Sequence, residues 1–569
     1  MMRRTVAVGM MAALLAISAV VQAAAPPRLV VFLSIDQCRA DYLTRFVEHY
    51  LPAGTVERPG GLAFLMQGGA HYRDAHFAHV PTATGPGHAT LLTGSAPVLH
   101  GVVANSWLDR ERGEVQYCVY DPEVRPVGGG DTPGSPRSLL VTTLGDEMKM
   151  ATAGRSRVVG IAFKDRVAIL MAGHAANTVI WLDDTTGNWV SSSFYFPGGE
   201  LPEWVSRLNA ENLPRRYLGR TWEPSMPAGA YRASRSAPGH DPGGDLPFAH
   251  PLAGGGRPVQ EFFSSLSESG FGNDLVFTAM KRAVVSERLG QDEWPDLLAV
   301  NLSTNDYIGH TYGPNSPETL DITVRTDRLL ADFLGFLAAT IPGGLEQVLV
   351  VVTADHGVLP FPEEMKAVYR APAGRVNPGT LAHFVQSQLT ATLGEGMWLE
   401  PATLGRSVGP YLYLNQETIA AKGISPGHVE RLAAAAAAGF PGVHTAFTRG
   451  QILEGRLPPW EWVSRVVNGF HPRRSGDVLI IQDPGWAWTT STTSTNHNAP
   501  WAYDTHVPLL LWGPGIQGGC FHRRVTTMDI APTLSQVLGI GYPSGSLGSP
   551  LYEALDRPLP TVPRSCDQR

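Results

Sequence analysis

Five short runs of almost uninterrupted apolar residues recur along the chain: "RLVVFLSID", "RVVGIAFK", "DLLAVNLST", "QVLVVVTADHG" and "VPLLLWGPG". Each ends in polar or glycine residues, the pattern of strands buried on both faces of a parallel sheet. Between them the apolar positions shift to helical spacing, as in "TLDITVRTDRLLADFLGFLAATI" ahead of the fourth run. The alternation predicts an α/β fold, with a mostly parallel central sheet flanked by helices on both faces.

Two regions depart from this rhythm. Residues from about 191 to 272 are dense in Gly, Pro and Ser around "SAPGHDPGGDLPFAHPLAGGGRP" and read as a loop-rich excursion. Residues 359–494 carry "VNPGTLAHFVQSQLTATLG", "PYLYLN" and "HVERLAAAAAAGF", which predict a smaller α+β subdomain inserted into the sheet domain. The core is then residues 26–358 and 495–569, and the alanine run Ala433 to Ala438 reads as plain helix. No internal repeat is visible.

The first 25 residues read as a signal peptide. Two arginines precede an apolar run of about fifteen residues, short for a membrane span, and small residues follow in "VQAAAP". Cleavage is expected after Ala23 or Ala25. No later segment has the roughly twenty apolar residues of a spanning helix, so the expectation is a soluble, periplasmic or secreted protein, and a monomer.

Composition narrows the partners. Of 569 residues, 43% are hydrophobic, enough for a large core, and the net charge of −7 comes without any Lys- or Arg-rich run. Nucleic acid polymers and anionic lipid are therefore not expected partners, while small anionic substrates remain open if the site supplies positive charge. Cys38, Cys118, Cys520 and Cys566 are scattered, allow three pairings and form no C-x-x-C, so they read as possible disulfide staples.

Ligands of open parallel sheets gather outside the carboxyl ends of the strands. There this chain places Asp36 after the first run, Asp306 and His310 in "STNDYIGHTYG" after the third, and Asp355 with His356 in "TADHG" after the fourth. His497 and His506 precede the fifth in "STNHNAPWAYDTHVP". Carboxylates and imidazoles converging on one rim are a ligand set for zinc, or for a pair of zinc ions.

Thr84 lies in "VPTATGPGHATLLTG". A hydroxyl becomes a nucleophile only when a metal or a base stabilises its alkoxide. A helix starting there would offer free amides and a dipole to an anion beside it, with Pro86 suited to the first turn. The alternative is Thr84 as a simple N-cap. In "IAFKDRVAIL", Lys164 and Arg166 stand two apart, so in an extended chain both would face one side and could grip a phosphate dianion.

Taken together, "VFLSIDQCRADYL", "PTATGPGHATLLTG", "HGVVANSW", "AFKDR", "NLSTNDYIGHTYGP", "VTADHG" and "HNAPWAYDTHVPLLLWGPG" resemble the alkaline phosphatase superfamily. The similarity is strongest to its threonine-nucleophile, phosphate-irrepressible alkaline phosphatases, relatives of the nucleotide pyrophosphatase/phosphodiesterases. The resemblance implies two Zn²⁺ per chain, one held by Asp306, His310 and His497, the other by Asp36, Asp355 and His356. Thr84 would bridge toward the second as nucleophile and form a phosphothreonine. Asn105 would bind a phosphate oxygen, and Lys164 and Arg166 would favour small phosphate monoesters.

Family members often carry glycine after the last metal histidine, where this chain has Asn498. That leaves His506 as the alternative to His497. No ligands for a third, magnesium site are found, and "CRADY" is not the C-x-P-x-R segment of sulfatases. The rival activity is a phosphodiesterase or nucleotide pyrophosphatase on the same fold. From another class, a catalytically silent binder of metal or phosphorylated ligands would need a missing ligand or nucleophile, and none is missing.

Overall fold

The apolar run Leu29–Ile35 forms strand β1, and all seven of its residues are buried. The computed structural model describes residues 26–236, 247–252, 259–405 and 408–556. The expected signal peptide and Cys566 lie outside the described residues.

Seven further strands build the sheet around β1: β2 (Ala70–His76), β3 (Val158–Ala162), β4 (Thr178–Leu182), β5 (Trp189–Ser192), β6 (Asp296–Leu302), β7 (Val348–Thr353) and β8 (His506–Trp512). Their order across the sheet is β2-β8-β7-β1-β6-β3-β4-β5, with short strands at both edges. From β7 to β4 every pairing is parallel. The fifth apolar run does not follow this direction: β8 is antiparallel to β7 and to β2. Its continuous apolarity reflects burial on both faces, which does not encode direction. The reversal has a consequence, because it brings the residues preceding β8 to the same rim as the carboxyl end of β7.

Helix α1 (Thr84–Thr93) begins with Ala83 extended at the N-cap position and making no side-chain cap. Thr84 is thus the first helical residue, and its hydroxyl is not used as a cap. Small residues let α1 sit against the rim, since a Cβ on Gly87 would lie 2.5 Å from the Asp355 carbonyl oxygen. Next come α2 (Asp165–Ala172), which packs against α1, then α3 (Gly272–Ser286), α4 (Thr304–Tyr312) and the long α5 (Pro317–Thr340). Ser316 caps α5 by accepting from the Thr319 amide, and Pro317 follows at the first helical position.

A second apolar cluster, separate from the main core, lies within residues 376–488. There α6 (Pro378–Leu393) and α7 (Pro426–Ala438) accompany an antiparallel sheet of Tyr411–Leu412, Val478–Gln482 and Val443–Thr448. The alanine run ends α7. Between residues 191 and 272 the described parts include helices Glu203–Ala210 and Val259–Ser267 and a two-stranded ladder. Cys38, Cys118 and Cys520 are free thiols, the first two buried, so none of them is a staple among the described residues.

Candidate active site

Adjacent strands lie about 4.8 Å apart, so the ends of β7, β1, β6 and β3 fall within roughly 15 Å of one another. Those four ends deliver Asp355 and His356, Asp36, Asp306 and His310, and Lys164 and Arg166. His497 joins them from the loop ahead of β8.

The three imidazoles are held in one way. His310 Nδ1 donates to the Thr495 carbonyl at 2.8 Å, His356 Nδ1 to Gly357 at 3.0 Å and His497 Nδ1 to Thr82 at 2.5 Å. In the neutral ring this leaves each Nε2 its lone pair, and a backbone acceptor on the far nitrogen is how metal-binding histidines are oriented. The rings of His356 and His497 stack 3.6 Å apart, and His310 Nε2 lies 3.2 Å from Asp306 Oδ1. His356 Nε2 lies 3.1 Å from Asp355 Oδ2 and 3.8 Å from Asp36 Oδ1 without hydrogen-bond alignment. All three of those atoms are buried and without a hydrogen-bond partner.

Such a cluster is short of positive charge. Asp36 is pushed well above the usual carboxylate range by burial and by Asp355. Burial acts likewise on Asp306, but His310 and Lys164 outweigh it and hold the group well below its ordinary value. Burial lowers His356, yet Asp355 beside it wins and raises it to about 9. Oxygen and nitrogen donors, dry surroundings and unsatisfied atoms fit divalent cations of the zinc type. The ligand atoms of Asp306, His356 and His497 lie within 4.8 Å of one another, as do those of Asp36, His88 and Asp355. This grouping puts His356 with Asp306 and His497, whereas the sequence reading put it with Asp36 and Asp355.

Thr84 and Asn105 line a cavity of about 420 Å³ together with Arg166, Asp306, His310 and His497. Asn105 Oδ1 accepts the Gly85 amide at 2.7 Å, which fixes the side chain and leaves its NH₂ as donor. A Cβ on Gly85 would lie 3.0 Å from that oxygen. Pro378, Gly409 and Trp488 complete the wall, so residues 359–494 shape the mouth.

Lys164 and Arg166 are not on an extended chain. Lys164 is the extended residue before α2, and Arg166 lies in the helix's first turn, because Asp165 at the helix start favours the turn and accepts the Arg166 amide at 2.6 Å. Lys164 Nζ sits between Asp36 Oδ2 at 2.8 Å and Asp306 Oδ2 at 2.6 Å, while Arg166 reaches the cavity beside Tyr117, whose hydroxyl lies 3.3 Å from its Nη1.

Two residues of this centre escaped the sequence reading. Gln37, left-handed at φ 62°, donates from its amide to Asp355 Oδ1 at 3.1 Å and from Nε2 to Asp306 Oδ1 at 2.6 Å. His88, one helical turn after Thr84, uses both nitrogens: Nδ1 donates to the Thr84 carbonyl at 2.9 Å and Nε2 accepts from Asn301 at 2.9 Å. It is built as a support. The i,i+4 spacing from Thr84 was the available signal for it. His506 lies elsewhere, stacked on His76 at 4.6 Å, so of the two histidines before the fifth run only His497 enters the centre.

The family model "Type I phosphodiesterase / nucleotide pyrophosphatase" matches residues 30–507. Alkaline phosphatase PhoV of Synechococcus elongatus is 34% identical over 558 residues, 94% of each chain. Alkaline phosphatase PafA of Elizabethkingia meningoseptica is 32% identical, covering 93% of this chain and 95% of its own. A Myroides odoratus protein named calcium-transporting ATPase is also 32% identical, over 93% of this chain and 95% of its own. The crystal structure of PafA superposes with a TM-score of 0.84 over 93% of this chain and 99% of that one. A solved PafA variant replaces, in chain order, a threonine, an asparagine, a lysine and an arginine. By sequence and by fold, this chain belongs to the type I phosphodiesterase / nucleotide pyrophosphatase family.

Proposed function

We propose that the chain is an exported, zinc-dependent alkaline phosphatase that hydrolyses small phosphate monoesters through a phosphothreonine at Thr84. The observation that carries this reading is the set of three imidazoles tethered through Nδ1, with Nε2 of His310 and of His356 beside buried carboxylates, of which His310 and His497 line the cavity that also holds Thr84 and Arg166. Relatives named alkaline phosphatase over nearly the whole length support it. The four residue types replaced in the PafA variant recur in the same order in the proposed set Thr84, Asn105, Lys164 and Arg166. The transporter name is not followed, since among the described residues no helix is long and apolar enough to cross a membrane.

In this mechanism Asp306, His310 and His497 would hold one Zn²⁺, and Asp36, Asp355 and His356, whose Nε2 lies 3.8 and 3.1 Å from those two carboxylates, would hold the other. Bound there, the ions would supply Lewis acidity to the attacking and leaving oxygens. Thr84 Oγ1 forms a bond to phosphorus as the ester oxygen leaves, and water then cleaves the phosphothreonine. Asn105 donates its NH₂ to a non-bridging oxygen. The start of α1 faces the anion with its dipole. Arg166 forks onto the remaining oxygens, and Lys164 holds Asp36 and Asp306 in place while adding charge behind them.

The rival is diester hydrolysis on the same frame, which needs room for a second ester group in place of a cation. Rates on p-nitrophenyl phosphate and bis-p-nitrophenyl phosphate separate the two readings. The proposal expects the monoester to be strongly preferred, and a clear preference for the diester overturns it.

A further inference from the structure

One residue after Asn105 the chain enters a hairpin, Ser106–Asp109 paired with Glu114–Tyr117. Ser106 lines the catalytic cavity, whereas its neighbour Trp107 lines a different one of about 720 Å³. Successive residues of a strand face opposite sides, so the hairpin separates the two spaces. Six arginines face the larger one: Arg110, Arg112, Arg137, Arg449, Arg473 and Arg474. In a chain of net charge −7 this concentration runs against the overall composition.

Two of the six are paired with carboxylates. Arg110 meets Asp477 at 3.0 Å, and Arg137 meets Asp121 at 3.2 Å and Glu123 at 2.6 Å. Among the described residues no carboxylate comes closer than 4.0 Å to the other four. Arg474 Nη1 donates to the carbonyls of Gly101 and Ser138, both at 2.6 Å, over the ring of Trp107, and burial lowers it to about 10. Arg449 donates to the Pro472 carbonyl. Arg112 comes only within 4.0 Å of Asp109, and the guanidinium of Arg473 is exposed with no ion pair among the described residues. The acids of the wall are Asp109 and Glu111, and Asp109 Oδ1 already accepts the amides of Glu111 and Arg112 at 3.0 and 3.3 Å.

We propose that this groove is a second anion site, separate from the catalytic cavity, that binds a small molecule carrying two or more phosphate groups. One phosphate engages one or two guanidinium forks, whereas the cations here are spread around a space larger than the catalytic cavity. A nucleic acid polymer is a poorer fit, because Arg474 covers Trp107, which would otherwise serve as a stacking platform, and the chain as a whole repels a polyanion.

The test uses the full, metal-loaded protein in excess orthophosphate, which occupies the catalytic cavity. Two probes resist hydrolysis: methylenediphosphonate stands for condensed phosphate, and 1,6-hexanediphosphonate for an organic molecule with separated phosphates. Calorimetry should show saturable binding of at least one, and the stronger probe identifies the source. In the double variant Arg112→Ser/Arg473→Ser, two exposed side chains outside the catalytic cavity, that affinity should fall about tenfold or more, with kcat/KM for p-nitrophenyl phosphate unchanged. Undiminished affinity in the variant, binding of neither probe, or tighter binding of a 20-nucleotide oligomer would each overturn the proposal.

Discussion

Two clusters of aspartate and histidine lie on this sheet, and they differ in what they leave unsatisfied. At the outer one, Asp74 and His76 share a face of β2, and His506 is paired with His76 in register on β8. His76 bonds Thr505 at 3.0 Å and Asp74 at 2.8 Å, His506 bonds the Arg73 carbonyl at 2.9 Å, and Arg524 meets Asp74 at 3.1 Å. These groups serve one another. At the rim, Asp36 Oδ1, Asp355 Oδ2 and His356 Nε2 are buried with no such partner. Residue types alone would rate the two clusters alike; unsatisfied buried atoms distinguish a centre built for a ligand from a polar patch that stabilises itself.

The comparison breaks most directly at its histidines. His356→Ala should remove bound metal and lower kcat/KM on monoesters by about a hundredfold or more, since even the partners of metal ligands cost 10–100-fold. His506→Ala should leave metal content and rate within about twofold. Elemental analysis and steady-state kinetics on both variants decide it, and equal losses would dissolve the distinction.

Next in size is the cation of the cavity. Arg166→Ala should cost about a hundredfold on p-nitrophenyl phosphate and much less on its diester, because a dianion has more charge to stabilise. Similar losses on both substrates would assign Arg166 to structure alone.

Asn498 sharpens the contrast through backbone. It follows His497 at φ 102°, a conformation costly to side chains other than glycine, and its amide donates to Thr82 Oγ1 at 3.2 Å. Asn498→Val should destabilise by about 1–3 kcal/mol in denaturant titration, while Asn498→Gly should keep stability and rate. Tolerance of valine would show that His497 does not depend on this turn.

A third pair, His174 with Asp146, supplies the smallest effect. Its Nδ1 lies 3.1 Å from Asp146 Oδ2 and its Nε2 3.1 Å from the Leu139 carbonyl, and the Asp146 hydrogen bond raises its pKa despite partial burial. A histidine raised on folding stabilises fully below its unfolded value, about 6.5. That stability is lost as pH climbs through the raised value. His174→Gln should therefore cost about 1 kcal/mol or less at pH 5.5, the side chain being partly exposed, and less still at pH 9. A cost independent of pH would mean that the imidazole stays neutral.

What the sequence made legible follows from these contacts. Strand ends were readable because a doubly buried strand is an unbroken apolar run, so Asp36, Asp306, Asp355 and His356 stood at its visible limits. The direction of β8 was not readable, since burial on both faces looks the same in either sense. Lys164 and Arg166 were placed at the right end of β3 but on the wrong backbone, although Asp165 between them is a helix-starting residue. Gln37 was passed over because its hydrogen bonds reach Asp355 and Asp306, hundreds of positions away, and His88 because, beside its local bond to Thr84, it is held by the likewise distant Asn301. The cysteines show the opposite error, where spacing allowed pairings that the fold does not make among the described residues.

The central claim is that the Thr84 hydroxyl attacks phosphorus. Rapid mixing of the zinc-loaded protein with excess p-nitrophenyl phosphate, acid quench and peptide mapping by mass spectrometry tests it directly. The account predicts a phosphate on Thr84 within the first turnover, and none in Thr84→Ala, which should retain its metal but not turn over. Full turnover by Thr84→Ala, or a phosphate found on another residue, would contradict it.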